Sequence, residues 1–311
     1  MLVTATTAAR VSDCPDLVRQ GQITEALATL SAVPSPSVGV RALTLECLLA
    51  RGELDLATTV GRQLAAERDL ARADAALVDL VLGDLAAASG REDDALTHYR
   101  AVGDRLDDPV ALPWRAGAAL SLMRTGSRRE AAALATEQLE LTRASGSAYA
   151  LVVALRAAAA CLVVDQVARL REALSLSVGR FDRLAAQAST DLAGVLALTS
   201  TGDDAIAEAR ALLRTAEEYA DAEDLWPLHT RVRRLLERLG EIPQTPRAEI
   251  LARLTESELR VARLATGGAT NRAIAAEVGV SVKAVEWHLS HAYRKLGIRG
   301  RGDLPQALRT G

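Results

Sequence analysis

Histidine and cysteine are the side chains of this chain that could hold a metal ion. The histidines are His98, His229, His288 and His291. The last two lie three residues apart, a spacing that places them on one helix face, but no cysteine or carboxylate cluster completes a metal site around them. Three cysteines, far apart and odd in number, favour buried thiols over disulfides or zinc ligands: Cys14, Cys47 and Cys161. We predict no metal and no cofactor.

Adjacent carboxylates are the other candidates for chemistry, as general acids and bases. They occur at Asp93-Asp94, Asp107-Asp108, Asp203-Asp204 and Glu217-Glu218. Two of these pairs stand where a helix would begin, and there solvated charges opposite the helix dipole explain them. The chain has no GxSxG, HExxH or GxGxxG pattern, and neither Lys283 nor Lys295 follows the glycine of a phosphate-binding loop. We predict that the protein is not an enzyme.

Charge is distributed unevenly along the chain. Residues 251–311 contain ten Lys or Arg and five Asp or Glu, a balance of +5, whereas the whole chain has a net charge of -3. Residues 1–250 therefore have a net charge of -8 by difference. A basic segment at one end of an acidic chain suits a polyanionic partner such as nucleic acid.

Composition favours helices throughout. Alanine and leucine dominate an apolar content of 49%, while aromatic residues make up 3%, a mixture of good helix formers and few strand formers. The longest apolar stretch, Ala148 to Val164, includes Arg156 and is shorter than the roughly 20 residues of a membrane span. The first residues lack the basic start and apolar core of a secretory signal. We predict an all-α, cytoplasmic protein with no membrane partner.

A glycine followed five residues later by alanine recurs along the first 240 residues. The copies are Gly21/Ala26, Gly52/Ala57, Gly90/Ala95, Gly126/Ala131 and Gly202/Ala207. The glycines are separated by 31, 38, 36 and 76 residues, so we expect one more copy, without its glycine, near residue 164. Glycine provides the positive φ that ends a helix, and the small alanine allows paired helices to approach. The pattern predicts six helix pairs stacked as a solenoid.

The clearest copy, RTGSRREAAALATEQL, also contains a capping-box spacing at Ser127 and Glu130. These copies resemble tetratricopeptide repeats, and the resemblance implies a concave face that binds a protein or peptide. Trp114, Tyr149 and Trp226 are the candidates for such a partner groove. In an alanine-rich solenoid, however, large rings more often fill gaps between helix pairs.

A proline-containing segment interrupts the helical pattern. In Gly240-Glu241-Ile242-Pro243-Gln244-Thr245-Pro246, the two prolines remove backbone donors and end the preceding helix. We therefore predict a helical repeat domain at residues 1–240, a linker at 241–250 and a C-terminal domain at 251–311.

The C-terminal domain reads as three short helices separated by glycines. Thr255 and Glu258 have the spacing of a capping box for the first helix, which ends at Gly267-Gly268. Thr270 can cap the second helix and Ser281 the third, with Gly279 in the turn between them. The order predicts a helix-turn-helix.

This segment resembles the LuxR-type helix-turn-helix of DNA-binding regulators. The shared pattern comprises Leu254-Thr255, Glu258, Gly268, Thr270-Asn271, Ile274-Ala275, Val285, His288, Leu289 and Lys295-Leu296-Gly297. A wider resemblance, to the C-terminal part of the large ATP-binding LuxR regulators without their ATPase, rests on Pro113-Trp114-Arg115, VEWHLSHAYRKLGI and Asp303-Leu304-Pro305-Gln306-Ala307-Leu308. The resemblance implies double-stranded DNA as partner and a homodimer formed through the last helix, around residues 303–308.

The resemblance also implies which side chains meet the DNA. Base edges would face Glu286, Trp287 and Ser290 of the third helix. The residues that would contact phosphate, or lie close to it, are Asn271, Arg272, Lys283, His288, Arg294 and Lys295. His288 and Trp287 have a purely structural alternative, in which the histidine packs the domain and the tryptophan is surface apolar area.

Two functions remain open at this point. The first is a DNA-binding transcriptional regulator whose repeats sense or recruit a partner. The second is a non-catalytic interaction protein that dimerises with or titrates a fuller regulator, with weak or lost DNA binding. Departures from the family pattern motivate the second: Ala284 stands where threonine is usual, Ala273 replaces an acidic residue, and Gly300 and Gly302 loosen the approach to the last helix.

Overall fold

The chain forms two compact units, unit 1 (Met1–Ile242) and unit 2 (Pro243–Gly311). The computed structural model describes residues 2–106, 108, 110–200, 202–242, 251, 254–296 and 298–308. Within the predicted linker, residues 243–250 lie outside the described residues, as do Asp107 and Gly297 of the sequence motifs. Glu241 belongs to unit 1, where its carboxylate lies 2.9 Å from Arg214 and 3.2 Å from Arg210.

Unit 1 is built from consecutive helices joined by short turns. They are α1 (Leu2–Gln20), α2 (Ile23–Ser31), α3 (Val38–Arg51), α4 (Leu54–Ala65), α5 (Arg72–Ala88), α6 (Glu92–Arg105), α7 (Trp114–Arg124), α8 (Arg128–Ser145), α9 (Ala148–Cys161), α10 (Gln166–Ser177), α11 (Asp182–Thr199), α12 (Asp203–Ala222) and α13 (Trp226–Arg238). Helices α1 to α12 form the six predicted pairs, and α13 packs on the last one. The predicted all-α fold is confirmed: the described residues contain helices and no strand.

Glycine turns close the first four pairs as the spacing predicts. Gly21, Gly52, Gly90 and Gly126 have φ angles of 96°, 77°, 73° and 89°, in the left-handed region that side chains disfavour. The alanines five residues later are fully buried between their helices: Ala26, Ala57, Ala95 and Ala131. In the copy without glycine, Asp165 takes the left-handed position with φ 57°.

The sixth pair departs from the pattern. Helix α11 ends at Thr199, and its C-cap Ser200 has extended backbone (φ -118°, ψ 139°) in place of a left-handed residue. Gly202 accordingly has φ -80°, and the expected positive φ is wrong there. Ala207 is exposed and Ala209 is buried in its place, so the packing position has moved by two residues.

The predicted capping box at Ser127 is also absent. Ser127 has ψ 56°, whereas an N-cap needs extended backbone to aim its hydroxyl at the helix, and its side chain makes no capping hydrogen bond. The Glu130 carboxylate pairs instead with Arg100 of the preceding helix pair, at 2.8 Å.

The two ends of the helix array meet, so unit 1 closes on itself. The hydroxyl of Tyr219 donates to the carbonyl oxygen of Gly21 at 2.6 Å, and the amide of Thr24 donates to the Glu223 carboxylate at 2.9 Å. Arg183 of α11 pairs with Glu46 of α3. We call this set of contacts the seam. Side chains of α1 to α3 and of α9 to α13 share one hydrophobic core across it.

Closure encloses a groove lined mainly by one helix of each pair. Its walls come from α1, α3, α5, α7, α9, α11 and α13, together with Tyr99 of α6, and its volume is about 1490 Å³. Each of these helices therefore has one side packed on its pair and another facing the groove.

Unit 2 contains the predicted three helices and a short C-terminal turn. They are α14 (Glu256–Thr266), α15 (Asn271–Val278) and α16 (Val282–Leu296), followed by a 3₁₀ turn (Arg301–Asp303) and α17 (Leu304–Ala307). The core includes the fully buried Val261, Ile274, Val285 and Leu304. In the part of the chain that the structure describes, no helix is both long and apolar enough to cross a membrane.

The seam makes a prediction about two glycines with matched backbones. A Cβ on Gly21 (φ 96°) would lie 2.6 Å from both the Arg183 amide nitrogen and the Tyr219 hydroxyl, whereas a Cβ on Gly126 (φ 89°) meets nothing within 4 Å. We expect Gly126→Ala to cost about 1–2 kcal/mol, the left-handed penalty alone. Gly21→Ala should cost roughly 2 kcal/mol more, because backbone must move.

Urea unfolding followed by Trp114 and Trp226 fluorescence in a Trp287→Phe background measures both losses. Equal losses for the two variants would show that the ends of the array are not in contact.

Candidate nucleic-acid interface

Helix α16 presents a continuous outer face to solvent. Lys283, Glu286, Trp287, Ser290 and Arg294 are all exposed and follow the helical spacing of three or four residues. The opposite face is buried in the core of unit 2: Val285, Leu289 and Ala292. Because the core fixes the helix along one side, the polar side is free to contact a partner.

Side-chain caps set the start of each helix in unit 2. Thr255 Oγ1 accepts from the Glu258 amide at 3.3 Å, and the Glu258 carboxylate accepts from the Thr255 amide at 2.7 Å, so the predicted capping box is confirmed. Thr270 and Ser281 cap α15 and α16, each accepting an amide at 3.2 Å. Gly279, with φ 76°, makes the turn between them.

Trp287 is an ordered apolar surface at the centre of this face. The residue is 55% exposed. It stacks on His291 with centroids 4.0 Å apart and meets His288 edge-on at 5.1 Å. Val280 and Val282 are also exposed at the start of α16. The two histidine rings thus hold the tryptophan ring in position. Within the described residues, no three His, Cys, Asp or Glu side chains are grouped to hold a metal ion.

Lys295 has an intramolecular partner. Its Nζ lies 2.6 Å from Oε2 of Glu258, a residue that is 2% exposed. Burial raises the pKa of this carboxyl, but the hydrogen bonds from Lys295 and the Thr255 amide, with the lysine charge, outweigh it and hold the pKa below the ordinary 4.5. The lysine therefore ties the end of α16 to the start of α14.

Arg301 is a site residue that the sequence reasoning missed. Its guanidinium donates to Oδ1 of Asn271 at 3.0 Å, to the carbonyl oxygen of Ala265 at 3.0 Å, and to that of Ala269. The segment around Gly300 and Gly302 is therefore held against the turn between α14 and α15. An arginine between two glycines was the available signal, because flanking glycines let a backbone bend around a fixed side chain.

The residues predicted to contact phosphate differ in whether their polar groups already have partners within unit 2. Arg272, Lys283 and Arg294 are exposed, with Arg294 also within 3.1 Å of His291. Asn271 has its side-chain oxygen on Arg301, which leaves its amide nitrogen as a donor. His288 is half-buried beside Trp287.

The last helix contributes mainly to the domain core. Leu304 is fully buried, and Leu308 packs against the same core. Asp303 and Pro305 are exposed, and the Asp303 carboxylate accepts the Arg299 amide at 3.1 Å. Among the side chains described in residues 303–308, Asp303 and Pro305 are therefore the exposed ones.

The three aromatic residues predicted for a partner groove do not lie together. Tyr149 lines the groove of unit 1, in edge-on contact with Phe181 at 5.3 Å. Trp114 packs over Gly103, and Trp226 lies beside the turn at Gly52, so neither is among the groove-lining residues. The Trp114 ring fills a gap between helices, whereas Trp226 is exposed and its ring meets His229 of its own helix.

The geometry of unit 2 defines a helix-turn-helix DNA-binding domain, with α15 and α16 joined at Gly279 and the exposed face on α16. Residues 252–307 match the family of bacterial regulatory proteins, luxR family. This segment is therefore a LuxR-type DNA-binding domain, the kind that serves transcription regulation. The match lies within unit 2, and no curated protein matches the chain at a significant level.

The buried Glu258 pair makes a prediction about acid stability. Glu258→Ala leaves the Lys295 charge unpaired and removes the capping box, so we expect the free energy of unfolding of unit 2 to fall by about 3 kcal/mol at pH 7. Because the folded pKa of Glu258 is depressed, its contribution is complete above 4.5 and is lost as the pH falls through the folded value.

The loss in free energy of unfolding caused by Glu258→Ala should therefore become smaller as the pH is lowered from 7 to 3. Urea unfolding followed by Trp287 fluorescence measures this loss at each pH. Glu256→Ala, in the same helical turn but exposed, is the matched control and should change stability by less than about 0.5 kcal/mol. A Glu258→Ala deficit that does not vary with pH would contradict the assignment.

Proposed function

We propose that the chain is a non-enzymatic, sequence-specific transcription regulator that acts on DNA in the cytoplasm. In this proposal, unit 2 binds a two-fold DNA site as a homodimer, and unit 1 senses or recruits a protein or peptide partner. The observation that carries it is the exposed face of α16 within a LuxR-type domain. The functional division follows the predicted boundaries, with repeats at 1–240, a linker at 241–250 and the DNA-binding domain at 251–311.

Base reading is assigned to the centre of the α16 face. The major groove accommodates one helix, and the exposed residues of its amino-terminal half reach the base edges. Glu286 can accept from cytosine N4, Trp287 can contact a thymine methyl group, and Ser290 can donate or accept. The stacking of Trp287 on His291 supports this assignment, because a side chain already held in place loses less entropy on binding.

Phosphate binding is assigned chiefly to the exposed Arg272, Lys283 and Arg294. The Asn271 amide and His288 are secondary contacts, because each already has a packing or hydrogen-bonding role in the domain. Lys295 is proposed to contribute to stability more than to affinity, since its ammonium group is on Glu258.

The Lys295 contact also favours the second function considered above. A domain that commits one cation internally, and has Ala284 in place of a hydroxyl residue, has fewer phosphate contacts and binds DNA more weakly. Such a chain could act by dimerising with or titrating a fuller regulator. The dimer surface in this proposal is the last helix, around residues 303–308, where Asp303 and Pro305 are exposed.

Selection of bound sequences from random duplex DNA tests the proposal directly. The full-length chain should enrich a motif with two related half-sites, as a dimer requires. The variant with Glu286, Trp287 and Ser290 all changed to Ala should lose the motif while keeping its thermal unfolding midpoint. A folded chain that enriches nothing would contradict DNA reading and favour the interaction-protein function.

Salt dependence separates the two lysines. Lys283→Gln should weaken binding uniformly across sequences and reduce the slope of log affinity against log salt by about 1, because one phosphate contact is lost. Lys295→Gln should leave that slope unchanged and lower the stability of unit 2. Affinity measured by fluorescence anisotropy over a salt series gives both slopes, and equal reductions would show that Lys295 does contact phosphate.

A further inference from the structure

Three of the five carboxylates that line the groove of unit 1 are paired with arginine. The pairs are Glu46 with Arg183, Asp191 with Arg156 and Arg231, and Asp16 with Arg19. Asp182, at the first position of α11, is exposed to solvent. Asp84 of α5 differs from both groups, since it lines the groove, is half-buried, and has no ion-pair partner among the described residues.

Asp84 is held in a defined position by a single hydrogen bond. The Tyr99 hydroxyl donates to Oδ1 at 2.7 Å, and in the described part of the chain no donor reaches Oδ2. Burial raises the pKa of Asp84 to about 6, the Tyr99 bond lowers it, and the more distant Glu46 raises it by more than Arg183 lowers it. Arg124 of α7 is paired with Glu92 at 3.1 Å. The surroundings thus leave the charge of Asp84 uncompensated.

Two neighbouring helices have glycines that leave room for the Tyr99 ring. A Cβ on Gly83 of α5 would lie 2.7 Å from Cε1 of the ring, and a Cβ on Gly117 of α7 would lie 2.6 Å from Cζ. Two glycines inside helices disfavour those helices, and here they clear the space through which the ring crosses to Asp84. Two helix-destabilising glycines, Gly83 and Gly117, are therefore needed to keep the carboxylate of Asp84 and its tyrosine partner at the groove wall.

We propose that the groove binds an organic cation, an amine or a guanidinium group, whose charge pairs with Asp84. This inference rests on the proposed sensory role of unit 1 and assigns it a ligand class. Apolar side chains such as Leu80, Ala87 and Leu120 line the same groove and suit the carbon skeleton of such a ligand. The volume of about 1490 Å³ admits either a small free amine or a lysine or arginine side chain of a bound peptide.

Isothermal titration calorimetry on the full-length chain tests the site. The probes are phenethylamine and agmatine, with 2-phenylethanol as a neutral match, and a capped pentapeptide with lysine or glutamine at its centre. At least one cationic probe should bind while the neutral probes do not, and its affinity should fall at least tenfold in Asp84→Asn. Asp182→Asn, a carboxylate change in the same groove, should leave affinity unchanged.

Binding of the free amines alone would identify a small-molecule site, and binding of the lysine peptide would identify a peptide site. If no cationic probe binds, or if Asp84→Asn binds as well as the unaltered chain, the inference is overturned.

The pH dependence of amine affinity is a second test, because it would not change if Asp84 had a purely structural role. The amine probe stays protonated between pH 5 and pH 8, so its affinity should fall as the pH drops through about 6 and Asp84 gains a proton. Tyr99→Phe removes the hydrogen bond that lowers this pKa and should move the midpoint to higher pH. An affinity independent of pH, or an unmoved midpoint in Tyr99→Phe, would overturn the inference.

The folding of the variants is checked independently. Because the folded pKa of Asp84 is raised, its ionised form disfavours folding above that pH, so Asp84→Asn should keep or raise the unfolding temperature at pH 7.5. A fall in that temperature would show that Asp84 is a structural partner and would contradict the proposed site.

DNA selection with the same preparations separates this inference from the proposed function. Amine binding at Asp84 that leaves DNA affinity unchanged supports the site and refutes its role in sensing. Absence of amine binding by a chain that still enriches its DNA motif overturns this inference alone.

Discussion

Unit 1 depends on one constraint: its helices pack closely, and only alanine or glycine fits at the points where they meet. Fully buried alanines sit between the members of the helix pairs, and helix-interior glycines lie directly beneath larger side chains, as Gly61 does beneath Leu85 and Gly103 beneath Trp114. A methyl group at either glycine would lie 2.5 Å from its neighbour. Since tightly packed interiors absorb such changes poorly, small residues fix the spacing of the array and hence where its ends arrive.

The closed array follows from that spacing. Gly21 admits the Arg183 backbone and the Tyr219 hydroxyl at the seam, and a larger residue there would keep the ends apart. Closure in turn produces a groove whose walls come from helices all along the array, in which three carboxylates are paired with arginine. An open stack of the same helices would expose those charges to water, where ion pairs contribute little and an uncompensated carboxylate has no consequence.

Unit 2 depends on a different contact, the buried carboxylate of Glu258. It joins the capping box of α14 to Lys295 near the end of α16, so one side chain both starts α14 and holds α16 in place. Arg301 acts similarly from the C-terminal turn onto Asn271. Residues that a sequence pattern assigns to phosphate contact therefore also hold the domain together, and the two roles compete for the same polar atoms.

The sequence by itself determined the local structure: the helical composition, the glycine turns with their buried alanines, and the caps at Thr255, Thr270 and Ser281, because each depends on residues a few positions apart. The LuxR-type pattern identified the DNA-binding segment for the same reason. The tertiary structure alone decided that the ends of the array meet, that Lys295 lies on Glu258, that Arg301 reaches Asn271, and that Asp84 lines the groove without an ion-pair partner among the described residues. These contacts join residues 15 to 199 positions apart, and periodicity along a chain does not specify which distant side chains meet.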